Sequence, residues 1–211
     1  MSNSRERGRP VDEEKHAQQR GKLLAAAKDL LEIKSYNSVT IRELAERAGV
    51  NSAMISYYFN NKQGLFIALV DEMSEQMFNN FKAMSKTDDP IRSFIEMMIK
   101  VLTTSKGFAR LIHDEVMSTD SDFRDIFIER FPKRMANLLP NMIIQNTAIT
   151  DMTKAKYSAF SLMMLLITPF IHEPVRKHAW DISDEELMDP TWAEHVYTLF
   201  ISGCSMENTA C

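Results

Sequence analysis

The spacing of apolar residues constrains this 211-residue chain more than any other feature of its sequence. Apolar side chains recur at three- and four-residue steps along most of its length, which places them on one face of an α-helix. No run of useful length alternates apolar and polar residues with the period of two that a half-buried β-strand shows. The pattern therefore predicts an all-α protein.

Three helices are predicted in the first third of the chain. The first covers residues 13–33 and carries one apolar stripe. Thr40, with Glu43 three residues later, is a capping-box pattern that opens a second helix, which ends at Arg47. The third helix covers residues 52–58. Together they make a small helical unit at residues 13–65.

The second and third helices are joined by the short segment Ala48-Gly49-Val50. Gly49 tolerates the positive φ that often follows a helix end, and Asn51 can accept a hydrogen bond from the first turn of the next helix. Two short helices around such a turn are typical of a helix-turn-helix, whose second helix lies in the major groove of DNA. A three-helix bundle without a DNA-binding role can also have this turn, so the spacing alone leaves both readings open.

Charge is distributed unevenly along the chain, whose formal net charge is −4. Residues 1–62 contain 11 Lys and Arg against 8 Asp and Glu, whereas residues 63–211 contain 14 against 21. A basic front on an acidic body is typical of a polyanion-binding module joined to a larger acidic domain. Residues 1–12, with Arg5, Arg7 and Arg9, are predicted to form a flexible basic arm.

The third helix carries side chains suited to a DNA groove. If Ile55 and Phe59 face the core, small, polar or phenolic residues occupy its other surfaces. Hydroxyls can bond to phosphates or base edges, and Ala53 and Met54 can contact a thymine methyl group. Lys62 stands at the start of the next helix, where an ammonium can meet a phosphate.

Residues 40–51 (TIRELAERAGVN) and 55–65 (ISYYFNNKQGL) resemble the DNA-binding domain of the TetR (tetracycline-repressor-like) family of transcription regulators. The resemblance takes in the Arg-Gly-Arg-Pro arm at residues 7–10 and residues 25–31, so it covers about the first 70 residues. It implies an N-terminal three-helix helix-turn-helix domain followed by a larger helical domain at 66–211 that binds ligand and dimerises.

The resemblance also implies roles for single residues. Thr40 and Arg42 should anchor to phosphate or reach a base, and Tyr57, Tyr58 and Lys62 should hold the flanking backbone, with counterion release at the lysine. The arginine arm should enter an adjacent minor groove. The predicted DNA-binding residues are Arg7, Arg9, Thr40, Arg42, Asn51, Ser52, Ala53, Met54, Ser56, Tyr57, Tyr58 and Lys62.

One position departs from the family pattern. Many members have Tyr or His where this chain has Ser56. Tyr57 and Tyr58 are therefore the expected substitutes for the phosphate contact.

The acidic body is also predicted to be helical. Helix starts are expected at Asp88-Asp89-Pro90, at residues 119–122 (Thr-Asp-Ser-Asp) and at Pro190, because Asp caps a helix and Pro fits its first turn. The helix capped by residues 119–122 should run to about Gln145, with bends near Pro132 and Pro140.

Methionine is frequent, with 15 residues in the chain, most of them in the body. Flexible thioethers suit a cavity that adapts to an apolar guest, although the same residues can simply fill a core. The predicted ligand-pocket residues are Phe94, Met97, Met98, Phe108, His113, Met117, Phe127, Phe131, Met135, Tyr157, Phe160 and Met164.

Residues 162–170 and 192–201 carry more apolar side chains than a helix needs to bury one face. They can pack within one chain, but the resemblance implies that they pair with their symmetry mates as a four-helix bundle. A C2 dimer would also supply a second DNA-reading helix about one helical turn away. The predicted interface residues are Leu162, Leu166, Phe170, Trp192, Val196, Leu199 and Phe200.

Other functional classes find little support. No Ser/His/Asp ordering, phosphate-cradling glycine loop or metal-ligand histidine pair is present, so no enzyme is expected. Residues 113–115 (His-Asp-Glu) point in different directions on a helix, so neither a metal nor a cofactor is expected. The longest apolar run, residues 162–167, is too short to span a bilayer, and the N-terminus lacks the apolar stretch of a secretory signal.

The sequence thus predicts a cytoplasmic, homodimeric, ligand-responsive transcription regulator, most often a repressor in the resembled family. Its predicted partners are a palindromic double-stranded DNA operator, a second copy of the chain and a small apolar or amphipathic effector, with no membrane partner. A competing interpretation is a helical interaction module whose basic front binds an acidic protein. Dependence of binding on base sequence would separate the two.

Overall fold

The structure is a computed structural model that describes residues 10–84, 86–116 and 122–205. Within these ranges the regular structure is helical and no strand occurs, so the predicted all-α class is confirmed. The α-helices are α1 (Pro10–Ile33), α2 (Ile41–Ala48), α3 (Ala53–Phe59), α4 (Lys62–Met84), α5 (Pro90–Thr104), α6 (Lys106–Val116), α7 (Asp122–Arg130), α8 (Pro132–Asn146), α9 (Met152–Ile171), α10 (Glu173–Ala179), α11 (Asp184–Met188) and α12 (Pro190–Ser205).

Residue contacts divide the chain into two compact units after Leu69, inside α4. The domain boundary predicted from the sequence, between residues 65 and 66, also lies within α4. It stays a prediction. In the first unit α1 packs against α2, and a short 3₁₀ turn at Tyr36–Ser38 connects them. Its core is formed by apolar side chains that are nearly inaccessible to solvent: Leu23, Ala27, Leu31, Val39, Leu44, Ile55, Leu65 and Phe66.

In the second unit α5 is the central helix. It packs against α8, α9, α11 and α12, and it buries Ile91, Phe94, Ile95 and Met98. Helix α8 lies along α9, and α6 contacts α7 and α9. Pro90 opens α5 as predicted, and the Asp89 side chain caps it by accepting a hydrogen bond from the Arg92 backbone N–H at 3.0 Å.

The long helix predicted from Asp122 to about Gln145 is wrong, because the chain forms two helices there. Helix α7 ends at Arg130, and Phe131 has φ −124° and ψ −70°, outside the helical range. A proline restricts the residue before it and fits the first turn of a new helix, so Pro132 starts α8 instead of bending one helix. Pro140 lies inside α8, as expected.

Helices α10 and α11 were not predicted. Both are short, but α11 begins with a capping box in which Ser183 and Glu186 bond reciprocally. That Ser-x-x-Glu pattern is readable in the sequence. Among the described helices, none is by itself both long and apolar enough to cross a membrane. Taken together, α9 and α10 pass that length and composition test, although the pair is bent by 73°.

Candidate nucleic-acid interface

Helix α3 has one buried side and one exposed side. Ile55 is fully buried and Phe59 is 7% exposed, so both face the core as predicted. Ser52, Ala53 and Ser56 are exposed, and Met54 is half-buried. The exposed side chains are small or polar, and they leave the helix surface open to close approach by a partner.

Backbone geometry fixes α3 relative to α2. The predicted capping box is present, since the Glu43 backbone N–H donates to Thr40 Oγ1 at 3.2 Å and the Thr40 N–H donates to Glu43 Oε2 at 3.0 Å. Gly49 ends α2 in the left-handed region with φ 64° and ψ 37°. Asn51 Oδ1 then accepts from the Ala53 N–H at 2.8 Å and so orders the start of α3. The capping box thus orders the start of α2, while Gly49 and the Asn51 bond order the turn between α2 and α3.

The front of α2 carries two predicted DNA contacts. Thr40 is exposed, but its hydroxyl serves the capping box. The Arg42 side chain is 86% exposed, and its Nε donates to Glu46 Oε1 at 2.7 Å. Glu43 accepts a hydrogen bond from Lys34, which together with the Thr40 donors lowers the pKa of Glu43 to about 2.

Lys62 is bound to the fold of the first unit. Its Nζ donates to the carbonyl oxygens of Tyr36 at 3.0 Å and Val39 at 2.9 Å, and it lies 4.4 Å from the centre of the Tyr36 ring. The ammonium thereby ties the start of α4 to the connection between α1 and α2. A phosphate contact through Lys62 stays a prediction. A phosphate bound there would share the Lys62 ammonium with the two carbonyl oxygens.

Two tyrosines at the end of α3 differ in their surroundings. Tyr57 is 64% exposed, whereas Tyr58 is half-buried. The Tyr58 hydroxyl donates to Gln19 Oε1 at 3.1 Å, and the His16 ring contacts both tyrosine rings at 5.8 Å. Sequence reasoning missed His16 and Gln19, although they continue the stripe of α1 that buries Leu23. Arg7 and Arg9 lie outside the described residues.

Gly64 was also missed, and it sits where α3 and α4 meet. A Cβ atom there would lie 1.9 Å from the carbonyl oxygen of Phe59, which is closer than any real contact. Asn60 turns the chain with φ 65°, and the Gly64 N–H donates to Asn61 Oδ1 at 2.8 Å. Only glycine fits this junction without displacing the end of α3.

The second unit contains part of the predicted ligand pocket as a packed core. Phe127 of α7, Phe131 between α7 and α8, and Met135 of α8 are buried, as are Phe94, Met97 and Met98 of α5. A cavity of about 20 Å³ lies in this core, and its lining residues are Met77, Met98, Val101, Leu102, Ala109, Phe131 and Ile167. His113 packs its ring against that of His172 at 6.4 Å. The Phe108 side chain and Met117 lie outside what the structure describes.

The structure does not bring the remaining pocket candidates into this core. Tyr157 and Phe160 are 69% and 66% exposed, and Met164 is 40% exposed. Phe160 and Met164 instead line an open cleft of about 720 Å³ formed by α9, α10, α12 and the segments after α9 and α10, with Trp192 and Leu199 on its α12 side. The placement of these three residues in one enclosed pocket therefore needs correction.

The predicted dimer-interface residues also divide into two groups. Leu162, Leu166, Val196 and Phe200 are buried within this chain. Leu199 is 51% exposed, while Phe170 and Trp192 are half-buried. The exposed apolar face, defined by Phe160, Met164, Leu165 and Leu199, lies on the same two helices, α9 and α12.

An ion-pair network borders the cleft. Arg176 is 6% exposed, and it donates to the Pro169 carbonyl at 3.0 Å and to Asp184. Asp184 also accepts hydrogen bonds from Lys106 and Lys177 at 2.8 Å each. These three cationic partners, Lys106 first, hold the pKa of Asp184 well below its usual range. The network fixes α10 and α11 beside α9.

Comparisons with known sequences match this chain to bacterial regulatory proteins. The family model described as bacterial regulatory proteins, tetR family, matches residues 23–69. The HTH-type transcriptional regulator YvkB of Bacillus subtilis is 26% identical over 198 residues, which are 88% of this chain and 97% of YvkB. Tetracycline repressor protein class A from transposon 1721 of Escherichia coli is 36% identical over 73 residues, 35% of this chain and 33% of that repressor.

One solved structure shows the same fold over nearly the whole chain. The fatty acid degradation regulator FadR from Bacillus halodurans superposes with a TM-score of 0.70 at 18% identity. The superposition covers 94% of this chain and 98% of FadR. The N-terminal helix-turn-helix and the larger helical domain are therefore both those of a TetR-like fold.

Proposed function

We propose that this chain, whose residues 23–69 match the family model of the tetR family of bacterial regulatory proteins, is a homodimeric, non-enzymatic transcriptional repressor of that family. It binds a palindromic operator in cytoplasmic DNA and is controlled by a small apolar or amphipathic effector. The observation that carries the proposal is the exposed face of α3, held by the capping box and the left-handed Gly49.

Helix α3 enters the major groove in this proposal. Ser52 and Ser56 expose hydroxyls that can bond to base edges, and Ala53 allows the backbone of α3 to approach the bases closely. Tyr57 and Arg42 flank this face and are suited to the phosphate backbone. The contacts to base edges specify the sequence, while those to phosphate set the register of the helix in the groove.

Two copies are needed because a palindromic operator has two half-sites. The exposed apolar face on α9 and α12 supports pairing of the chain with itself, since monomers rarely leave such contiguous apolar surface in water. A C2 dimer uses the same patch on both copies and places two reading helices in successive major grooves.

The effector is proposed to enter the core of the second unit. The methionine and phenylalanine side chains around the 20 Å³ cavity suit an apolar guest. FadR, whose fold this chain shares, is named for the regulation of fatty acid degradation. That likeness supports a long-chain amphipathic molecule as the first effector class to test.

The test is a selection of duplexes from a random-sequence DNA pool with the full-length chain. We expect one palindromic duplex to be enriched and to bind at least a thousandfold more tightly than mixed-sequence DNA, as specific regulators do by roughly this factor. Ala53→Glu should abolish this preference, because a carboxylate would face the groove. Ala25→Glu, the same change at an exposed position of α1, should leave it intact.

Failure to enrich any duplex would refute the proposal. In that case binding that depends on salt but not on base sequence would favour the interaction-module interpretation instead.

A further inference from the structure

One turn of α1 packs against the exposed end of α3. The His16 ring meets the Tyr57 ring edge-on, with centroids 5.8 Å apart and an interplanar angle of 73°, and it meets Tyr58 at 5.8 Å and 88°. The two tyrosine rings contact each other at 4.9 Å and 79°. Gln19, three residues after His16 and on the same side of α1, accepts the hydrogen bond from Tyr58. These three rings form one cluster at the surface.

The two tyrosine hydroxyls are not equally available to DNA. A phenol has one O–H to donate, and a phosphate oxygen only accepts. The Tyr58 O–H is donated to Gln19 at 3.1 Å, so in this arrangement it is not available to a phosphate. In the described part of the chain the Tyr57 hydroxyl has no hydrogen-bond partner, and its side chain is 64% exposed.

An exposed tyrosine normally samples several rotamers, and ordering it on binding costs conformational entropy. The edge contacts with His16 and Tyr58 restrict the Tyr57 ring before DNA arrives, because aromatic rings favour this T-shaped geometry. These ring contacts hold the Tyr57 ring, while its hydroxyl remains without a hydrogen-bond partner among the described residues.

We propose that His16 is a positioning residue for DNA binding, and that it acts by holding Tyr57 ready to donate its hydroxyl to a backbone phosphate. Tyr58 completes the support through Gln19 and makes no phosphate contact of its own. This inference rests on the proposed function, since it assigns the parts within that DNA-binding surface.

The experiment is a double-mutant cycle on the full-length chain. Dissociation constants are measured for the duplex that the wild-type chain selects and for a mixed-sequence duplex, with His16→Ala, His16→Phe, Tyr57→Phe and the pair His16→Ala with Tyr57→Phe. Gln18→Ala is the matched control, because Gln18 is an exposed neighbour on another side of α1. Thermal unfolding of each variant separates loss of folding from loss of binding.

We expect Tyr57→Phe to weaken binding about tenfold to both duplexes, as loss of one phosphate hydrogen bond would. His16→Ala should weaken it about fivefold, and His16→Phe should restore it because the phenyl ring keeps the edge contacts. In the Tyr57→Phe background His16→Ala should change affinity less than about twofold, since its effect passes through the missing hydroxyl.

Two outcomes would overturn the positioning role of His16 and leave the proposed function standing. In one, the losses of binding free energy for His16→Ala and Tyr57→Phe add up in the double variant; in the other, His16→Ala binds DNA as tightly as Gln18→Ala does. A Tyr57→Phe loss confined to the selected duplex would overturn the phosphate assignment. A wild-type chain that selects no duplex would instead refute the proposed function, so the two failures are distinguishable.

Discussion

Replacing Gly64 with alanine should destabilise the first unit, although alanine is the better helix former. The added Cβ would lie 1.9 Å from the Phe59 carbonyl oxygen, so about 1.5 Å of movement is needed to reach the 3.4 Å of ordinary contact. The obstructing atoms are backbone, and the Phe59 side chain is buried, so the end of α3 cannot move freely. Overpacking of this kind costs about 3 kcal/mol.

Part of that cost is offset by helix propensity. Alanine is favoured over glycine in a helix by about 1 kcal/mol, so the net loss for Gly64→Ala is about 2 kcal/mol. Gly21 provides the control, because it lies in α1 and a Cβ there meets nothing within 4 Å. Gly21→Ala should therefore stabilise the chain by about 0.5–1 kcal/mol.

The assay is thermal unfolding followed by far-ultraviolet circular dichroism, supported by DNA binding below the transition. We expect Tm to fall by roughly 4–8 °C for Gly64→Ala and to rise slightly for Gly21→Ala. DNA affinity should fall only for Gly64→Ala, because the carbonyl that must move ends α3. A Gly64→Ala variant as stable as Gly21→Ala would show that α3 and α4 do not approach as closely as the structure has them.

Three further predictions test other parts of the chain. Lys62→Ala should lower stability by about 1–2 kcal/mol in chemical denaturation, since two carbonyls lose a charged donor; an unchanged midpoint would contradict this, and a phosphate contact would also lower the salt slope of DNA binding by about 1. Leu199→Glu should give monomers by light scattering, whereas Leu138→Glu, at an exposed leucine of α8, should not; persistent Leu199→Glu dimers would place the interface elsewhere. The pKa of Glu43 is lowered from 4.5 to about 2, so its contribution to stability is present above pH 4.5 and lost as pH falls towards 2. Glu43→Gln should therefore lower Tm at neutral pH, and the difference from wild type should shrink across that window; a constant difference would contradict the assignment.

Helix α3 could be predicted closely from sequence because local signals define it. The capping box at Thr40, the left-handed glycine at position 49 and the spacing of Ile55 and Phe59 all act within a few residues. The support of that helix by His16 could not be read in the same way. A contact between residues 41 positions apart, such as His16 and Tyr57, depends on how α1 packs and leaves no local pattern.

The faces of α9 were misassigned for a different physical reason. Residues 162–167 are apolar at every position, so the helical period does not indicate which side is buried. Packing decides it: α9 contacts α5, α6 and α8, and in this arrangement Leu162 and Leu166 are buried whereas Met164 and Leu165 are exposed. On α9, Phe160 and Met164 of the exposed apolar face therefore lie across the helix from the predicted Leu162 and Leu166, whereas the predicted Leu199 of α12 belongs to that face.

The closed core sets a condition on the proposed effector. A cavity of about 20 Å³ is far smaller than the roughly 300–1,000 Å³ that binding sites for small molecules occupy, so the described core must expand to admit one. An effector that binds the expanded state more tightly than the closed state shifts the population towards the expanded state. The size of the shift is set by the difference between the two affinities. Because Met98 and Phe131 line the cavity from α5 and from the break between α7 and α8, expansion has to move these helices. An effector bound at the open cleft of α9, α10 and α12 would leave this core closed, so an increase in the solvent accessibility of α5 and α8 by hydrogen exchange distinguishes the two sites.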